Sequence, residues 1–194
     1  MLDFQALKEK QITLNQLIAG LGPADLERLT DEMVDDMLAV LAEAQDEDVS
    51  FLPDDPAALD RFASNPEEEK IAWTLGHVVV HATASAEEAA ALASQLARGL
   101  EIKERSRSEV LWREMTQVAQ LRQRLEESRR MRKAFLQTWP DRPHYEVLYN
   151  PPYPPGAEPT TAVGRFVFGL MHDFPHLYQM REILRQARTA RGAA

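Results

Sequence analysis

The placement of proline decides which stretches of this chain can be regular. Twelve prolines occur in 194 residues: Pro23, Pro53, Pro56, Pro66, seven between residues 140 and 159, and Pro175. Proline lacks an amide donor and its ring clashes with the preceding turn, so it ends or bends a helix and is shut out of a sheet interior. Three long stretches between prolines, 24–52, 67–139 and 160–174, carry apolar residues at helical spacing. They show no sustained period-2 alternation and no Asn-Gly or Asp-Gly hairpin signal. The expected fold class is all-α.

Four long helices are expected. After a short opening helix over 3–19 that ends at Gly20, the first runs from Pro23 to about Gln45 and buries Leu26, Leu29, Met33, Met37, Val40 and Leu41. The second spans 67–100, with Ile71, Leu75, Val78, Ala82, Ala89, Leu92, Leu96 and Leu100 as its stripe. The third spans 109–138 behind Ser108 as N-cap, with Trp112, Met115, Val118, Leu121, Leu125, Met131 and Phe135 inward. The fourth, capped by Thr160 or Thr161, reaches about residue 189 and buries Val163, Phe166, Val167, Leu170, Phe174, Leu177 and Leu184. Four amphipathic helices argue for a four-helix bundle. Its two long connections, 46–66 after helix 1 and 139–160 after helix 3, hold most of the prolines.

The chain is long enough to bury a full core as a single domain over 1–194. No apolar run reaches membrane-spanning length, and the N-terminus lacks a basic flank followed by an apolar core. There is no cysteine, which excludes disulfides, thiolate metal sites and a cysteine nucleophile. These absences favour a cytoplasmic protein with no membrane partner. The net charge of −9 is uneven: residues 1–60 hold fifteen acids against three bases, and the remainder sixteen against nineteen. An acidic first third argues against nucleic-acid binding. The basic cluster Arg105, Arg107, Arg113, Arg122, Arg124, Arg129, Arg130, Arg132 and Lys133 is interleaved with Glu109, Glu114, Glu126 and Glu127, and reads as a solvated helix face laced with ion pairs.

Four of the five histidines form two pairs at i, i+4 spacing, His77/His81 and His172/His176. That spacing sets both rings of a pair on one helix face, one turn apart. Imidazole is a common ligand of first-row transition metals, so two facing pairs can hold an ion. From spacing alone, half-buried polar histidines without a metal fit equally well. Both pairs lie off the apolar stripes, toward a groove at the helix edge. Pro175, between His172 and His176, is expected to kink its helix away from the Met171 carbonyl. Neither pair has a Glu after its first His, so the zinc-protease signature is absent. No phosphate loop, Rossmann turn or nucleophile elbow appears.

The segment Trp73-Thr-Leu-Gly-His-Val-Val-Val-His81, followed much later by His172-Asp-Phe-Pro-His176-Leu-Tyr-Gln179, resembles the DinB-like superfamily. The resemblance covers most of residues 24–189 and implies a four-helix bundle. It implies a divalent metal, zinc or nickel, held by His81, His172 and His176; His77 falls where the family often has other residues, and is read as lying behind the ligands, as an extra ligand or as incidental. Three histidines and an open fourth position resemble a catalytic zinc site more than a structural one. Characterised members include transferases and isomerases that use low-molecular-weight thiols, which implies a thiol and an electrophilic small molecule as partners, and family habit implies a homodimer. The alternative is a non-enzymatic metal-binding or structural bundle linked to stress. Glu88 and Gln179 are expected to orient the ligands, by helical phase. The segment 140–160, with His144, Tyr145, Tyr149 and Tyr153, is expected either to cover the site's mouth or to be a rigid surface connection.

Overall fold

The computed structural model describes residues 1–56, 58–59, 67, 69–104, 107–150 and 158–192. Among them are seven α-helices and no strand; a single antiparallel bridge joins Tyr149 to Thr160. The chain is all-α, as expected.

Each long helix begins where a specific group meets the free amides of its first turn. In α3 (Pro23–Leu41), Pro23 occupies the first turn and the Gly22 amide donates to Asp25 Oδ2 at 3.1 Å. In α5 (Leu75–Ala97), the Thr74 hydroxyl accepts from the His77 amide at 3.2 Å. In α7 (Ala162–Ala190), Thr161 rather than Thr160 supplies the cap, accepting from the Gly164 amide at 3.3 Å. The first amide of α6 (Val118–Gln137) donates to Asp46 Oδ1 at 2.8 Å, an acid supplied by the short α4 (Asp46–Val49).

Several expected boundaries shift. The opening stretch is two short helices, α1 (Phe4–Lys8) and α2 (Leu14–Leu17), parted where Lys10 adopts a left-handed φ of 59°. α3 stops at Leu41, whose carbonyl accepts from the Ala44 amide at 3.3 Å and from Arg122 Nη2 at 3.0 Å. The second long helix starts at Leu75, not 67; Glu67 and Glu69 of the acidic run before it are not buried, and Ile71 is exposed. The third starts at Val118, not 109. Residues 107–117 instead form a strap containing one 3-10 turn, Trp112–Glu114, and Ser108 lies outside any helix. Leu100 and Met131, expected inside, are exposed.

α5 packs along α7 and α6, and α3 packs on the same two helices. Contact with two neighbours explains why α5 is buried on almost every side: Val78, Val79, Val80 and Ala82 are all inaccessible, and its alanines admit close neighbours. The two helices approach closely at Gly169 of α7, which lies against Ala86 and Ala89 of α5. His172 and His176, further along α7, meet His81, earlier on α5, so the two helices run antiparallel.

The uneven charge is largely reconciled between α3 and α6. Lys133 pairs with Glu27 (3.0 Å) and Asp31 (2.9 Å), and Arg129 with Asp31 (3.3 Å) and Asp35 (2.6 Å). Two arginines of the expected solvated face are in fact buried. Arg124 pairs with Glu87, and Arg132 reaches Asp173 of α7 at 2.5 Å, with both partners almost wholly inaccessible. Arg105 lies outside the described residues.

Candidate metal centre

Near the start of α5 and the middle of α7, the side chains of His81, His172 and His176 converge. One ring nitrogen from each lies within 4.8 Å of the others. The partners of the remaining nitrogens show which atoms face inward. His81 Nε2 and His172 Nε2 are 3.3 Å apart. His176 Nδ1 bonds Gln179 Oε1 at 2.8 Å, which leaves its Nε2 for the centre. A Gln179 carbonyl oxygen only accepts, so it holds His176 in the Nδ1–H tautomer with a lone pair on Nε2.

α7 continues through Pro175 without ending, and the His172 and His176 rings remain 4.7 Å apart. The proline ring faces the exposed side of the helix, so the pair survives it.

Burial sets the charge state. Desolvation, reinforced by the neighbouring His176, His81, Arg107 and Arg132, pushes His172 down to about 2. Desolvation also lowers His176 to about 4, with Gln179 opposing and His81, Arg107 and His77 adding to the fall. Both rings are neutral at neutral pH and offer lone pairs rather than protons.

The strap supplies groups that spacing could not reveal. Arg107 Nη2 lies 2.9 Å from His81 Nδ1, and Glu109 Oε1 lies 3.4 Å from the same nitrogen. Arg107 and Glu109 also pair with each other. Burial raises the Glu109 carboxyl, but its bond to His81 and the nearby Arg107, His81 and His77 outweigh this and hold it below the ordinary carboxylate value.

Aromatic rings close one side. Trp73 packs on His77 (4.5 Å between centroids), His81 (4.4 Å) and His176 (5.7 Å). His77 is not one of the converging histidines; it is stacked between Trp73 and Trp112, the latter at 4.6 Å with rings 3° from parallel.

Of the groups expected behind the ligands, Gln179 takes that position and Glu88 does not. Glu88 is buried two turns beyond His81, near Arg165 at 4.0 Å. His144 is also remote. Its amide donates to the Ala97 carbonyl at 2.9 Å, at the far end of α5. Sixteen residues of helix separate Ala97 from His81, about 24 Å at 1.5 Å per residue. The cover near the histidines is therefore the strap, while His144 and Tyr149 belong to the opposite end; Tyr153 lies outside the described residues.

The donor set fits a transition-metal ion. Three imidazoles face one point, and two of their nitrogens oppose each other with room for a single proton between them. A cation satisfies all three lone pairs at once.

No helix among the described residues is long and apolar enough to cross a membrane. Neither a curated protein nor a solved structure matches the chain. A family model for the DinB superfamily matches residues 29–180, a span that includes all three converging histidines, Trp73, the strap and Gln179. This chain belongs to the DinB superfamily.

Proposed function

We propose that His81, His172 and His176 hold a divalent metal ion, zinc or nickel, and that the protein is a metal-dependent thiol S-transferase. The observation that carries the reading is the convergence of three imidazole nitrogens on one point, with family membership consistent with it. The pairings α5–α7, α5–α6, α3–α6 and α3–α7 close a ring, which supports reading the four long helices as a four-helix bundle around this site.

Held by His81, His172 and His176 alone, a four-coordinate ion would keep one position for water or substrate. Bound there, the metal supplies Lewis acidity, bringing the pKa of a water or thiol into the neutral range. The chain's own groups orient the site: Gln179 fixes the tautomer of His176, and Glu109 and Arg107 sit behind His81. Trp73 and the His77–Trp112 stack exclude water from one side. In the transfer, the sulfur of a low-molecular-weight thiol bonds to an electrophilic carbon. That carbon's leaving group departs with the bonding pair, and the thiol proton passes to solvent.

The test is thiol consumption with a chromogenic electrophile by zinc-loaded and nickel-loaded protein, against His81→Ala and His172→Ala. Metal-dependent turnover lost in both variants is the expected result. Bound metal without turnover across several thiols would overturn the transferase step and leave a metal-binding bundle.

A further inference from the structure

Two side chains of opposite chemistry approach the same ring nitrogen. Arg107 Nη2 is 2.9 Å and Glu109 Oε1 3.4 Å from His81 Nδ1. A guanidinium only donates and a carboxylate only accepts. Arg107 therefore bonds Nδ1 when that atom is bare, and Glu109 bonds it when it carries the hydrogen. A neutral imidazole has one such hydrogen, so the state of Nε2 decides between them.

His81 Nε2 faces the metal centre, 3.3 Å from His172 Nε2. Without an ion, a hydrogen on His81 Nε2 bridges these two nitrogens, and His81 Nδ1 is an acceptor for Arg107. With an ion on Nε2, the hydrogen must sit on Nδ1, where a carboxylate is the matching partner. The two geometries coexist within one strap.

Resting on the metal-site reading above, we infer that Arg107 and Glu109 are alternative partners of His81 Nδ1 that switch its tautomer with metal occupancy. Arg107 holds the metal-free ring with hydrogen on Nε2; Glu109 holds the loaded ring with hydrogen on Nδ1. The hydrogen changes position within one neutral ring, so the charge of His81 is the same in both states. Arg107 has other acceptors within reach when it yields Nδ1: the His81 carbonyl oxygen at 3.4 Å and the Glu109 carboxylate. Neither residue touches the reacting atoms, and both are positioning residues.

The strap is built to keep this pair in place. Trp112 stacks flat on His77. The strap backbone also lies close to Gly76, where a Cβ would meet Met115 Cβ and the Met115 carbonyl oxygen at 3.2 Å. A side chain at 76 would lift the strap off α5.

The test combines ring-nitrogen NMR of His81 with zinc titration. In wild-type protein, the ring is expected to carry hydrogen on Nε2 without metal and on Nδ1 with zinc. Glu109→Ala is expected to bind zinc about 10–100-fold more weakly. Glu109→Gln, which keeps an acceptor, falls between that and wild type. Arg107→Met, which removes the metal-free partner and a nearby positive charge, binds zinc as tightly as wild type or more so. Equal weakening by Arg107→Met and Glu109→Ala would mean that the strap only packs, and would overturn the inference. So would hydrogen on Nδ1 in the metal-free wild type, a reading that needs no variant to fold. Wild-type protein that takes up no zinc sinks the metal reading and this inference with it; zinc binding with either contrary result sinks the inference alone.

Discussion

Gly169→Ala tests whether helix packing sets the geometry of the histidine centre. A Cβ at 169 would lie 2.9 Å from Ala89 Cβ and 3.1 Å from Ala86 Cα. Carbon atoms rest at about 3.5–4.0 Å, so α5 and α7 must part locally by roughly 0.5–1 Å. Neither obstructing atom can rotate aside, since one is backbone and the other a methyl carbon on it. Overpacking of this kind costs about 1–3 kcal/mol. Alanine in place of glycine returns about 1 kcal/mol of helix propensity. The expected net loss is about 0–2 kcal/mol, or a fall in Tm of up to roughly 8 °C for a chain of this length. His172 is three residues from Gly169, so separation of the helices also draws His172 from His81, and zinc affinity falls with stability. Thermal and urea unfolding with a chelator present reads the first effect, and zinc titration the second. Adding Ala89→Gly removes the nearest obstruction, so the two substitutions together are less harmful than their sum. If Gly169→Ala alone is about 1 kcal/mol more stable than the parent and binds zinc unchanged, only helix propensity is acting and the packing argument is refuted.

Further predictions concern the interior and the rings. Arg132→Met leaves the buried Asp173 carboxyl without its partner at 2.5 Å and should cost about 3–5 kcal/mol in urea unfolding, most of it restored by adding Asp173→Leu; a loss below about 1 kcal/mol would contradict the pairing. The stability of metal-free protein should fall on acidification. His172 and His176 have folded-state values of about 2 and about 4, below the ordinary 6.5, so the unfolded chain takes protons first. Their contribution is complete above about pH 6.5 and is lost progressively as pH falls, down to about 4 for His176 and about 2 for His172. Asp173, raised by burial to about 6 despite Arg132, opposes this over part of the same window, but it is one group against two. A Tm that is flat or rises from pH 7 to 4.5 would contradict the assignment. His77→Ala should alter tryptophan fluorescence by breaking the Trp73–His77–Trp112 stack while leaving one metal per chain; loss of the metal would make His77 a ligand.

The helical class and the cores of the long helices were legible because their signals are local. Thr161, Pro23 and the stripe Leu26, Leu29, Met33, Met37 speak through neighbours three or four residues away. His172, His176 and Gln179 share one helix, so spacing alone puts them on one face. The approach of His81 to that pair is a tertiary fact that periodicity cannot give; only the family pattern linked them. The strap escaped for the same reason. Ser108 reads as a helix cap, which assigns Arg107 and Glu109 to a solvated face, whereas Trp112 stacking on His77 and the bare surface of Gly76 keep that segment extended along α5. Glu88 misled because helical phase gives direction but not depth: two turns past His81, it meets Arg165.

The most direct measurement is the zinc and nickel content of the purified chain after incubation with each metal and dialysis, compared with the His81→Ala, His172→Ala and His176→Ala triple variant. The account predicts close to one ion per wild-type chain and none retained by the variant, with folding confirmed by circular dichroism. A wild-type chain that emerges metal-free, or a folded triple variant that holds as much metal as wild type, would contradict it.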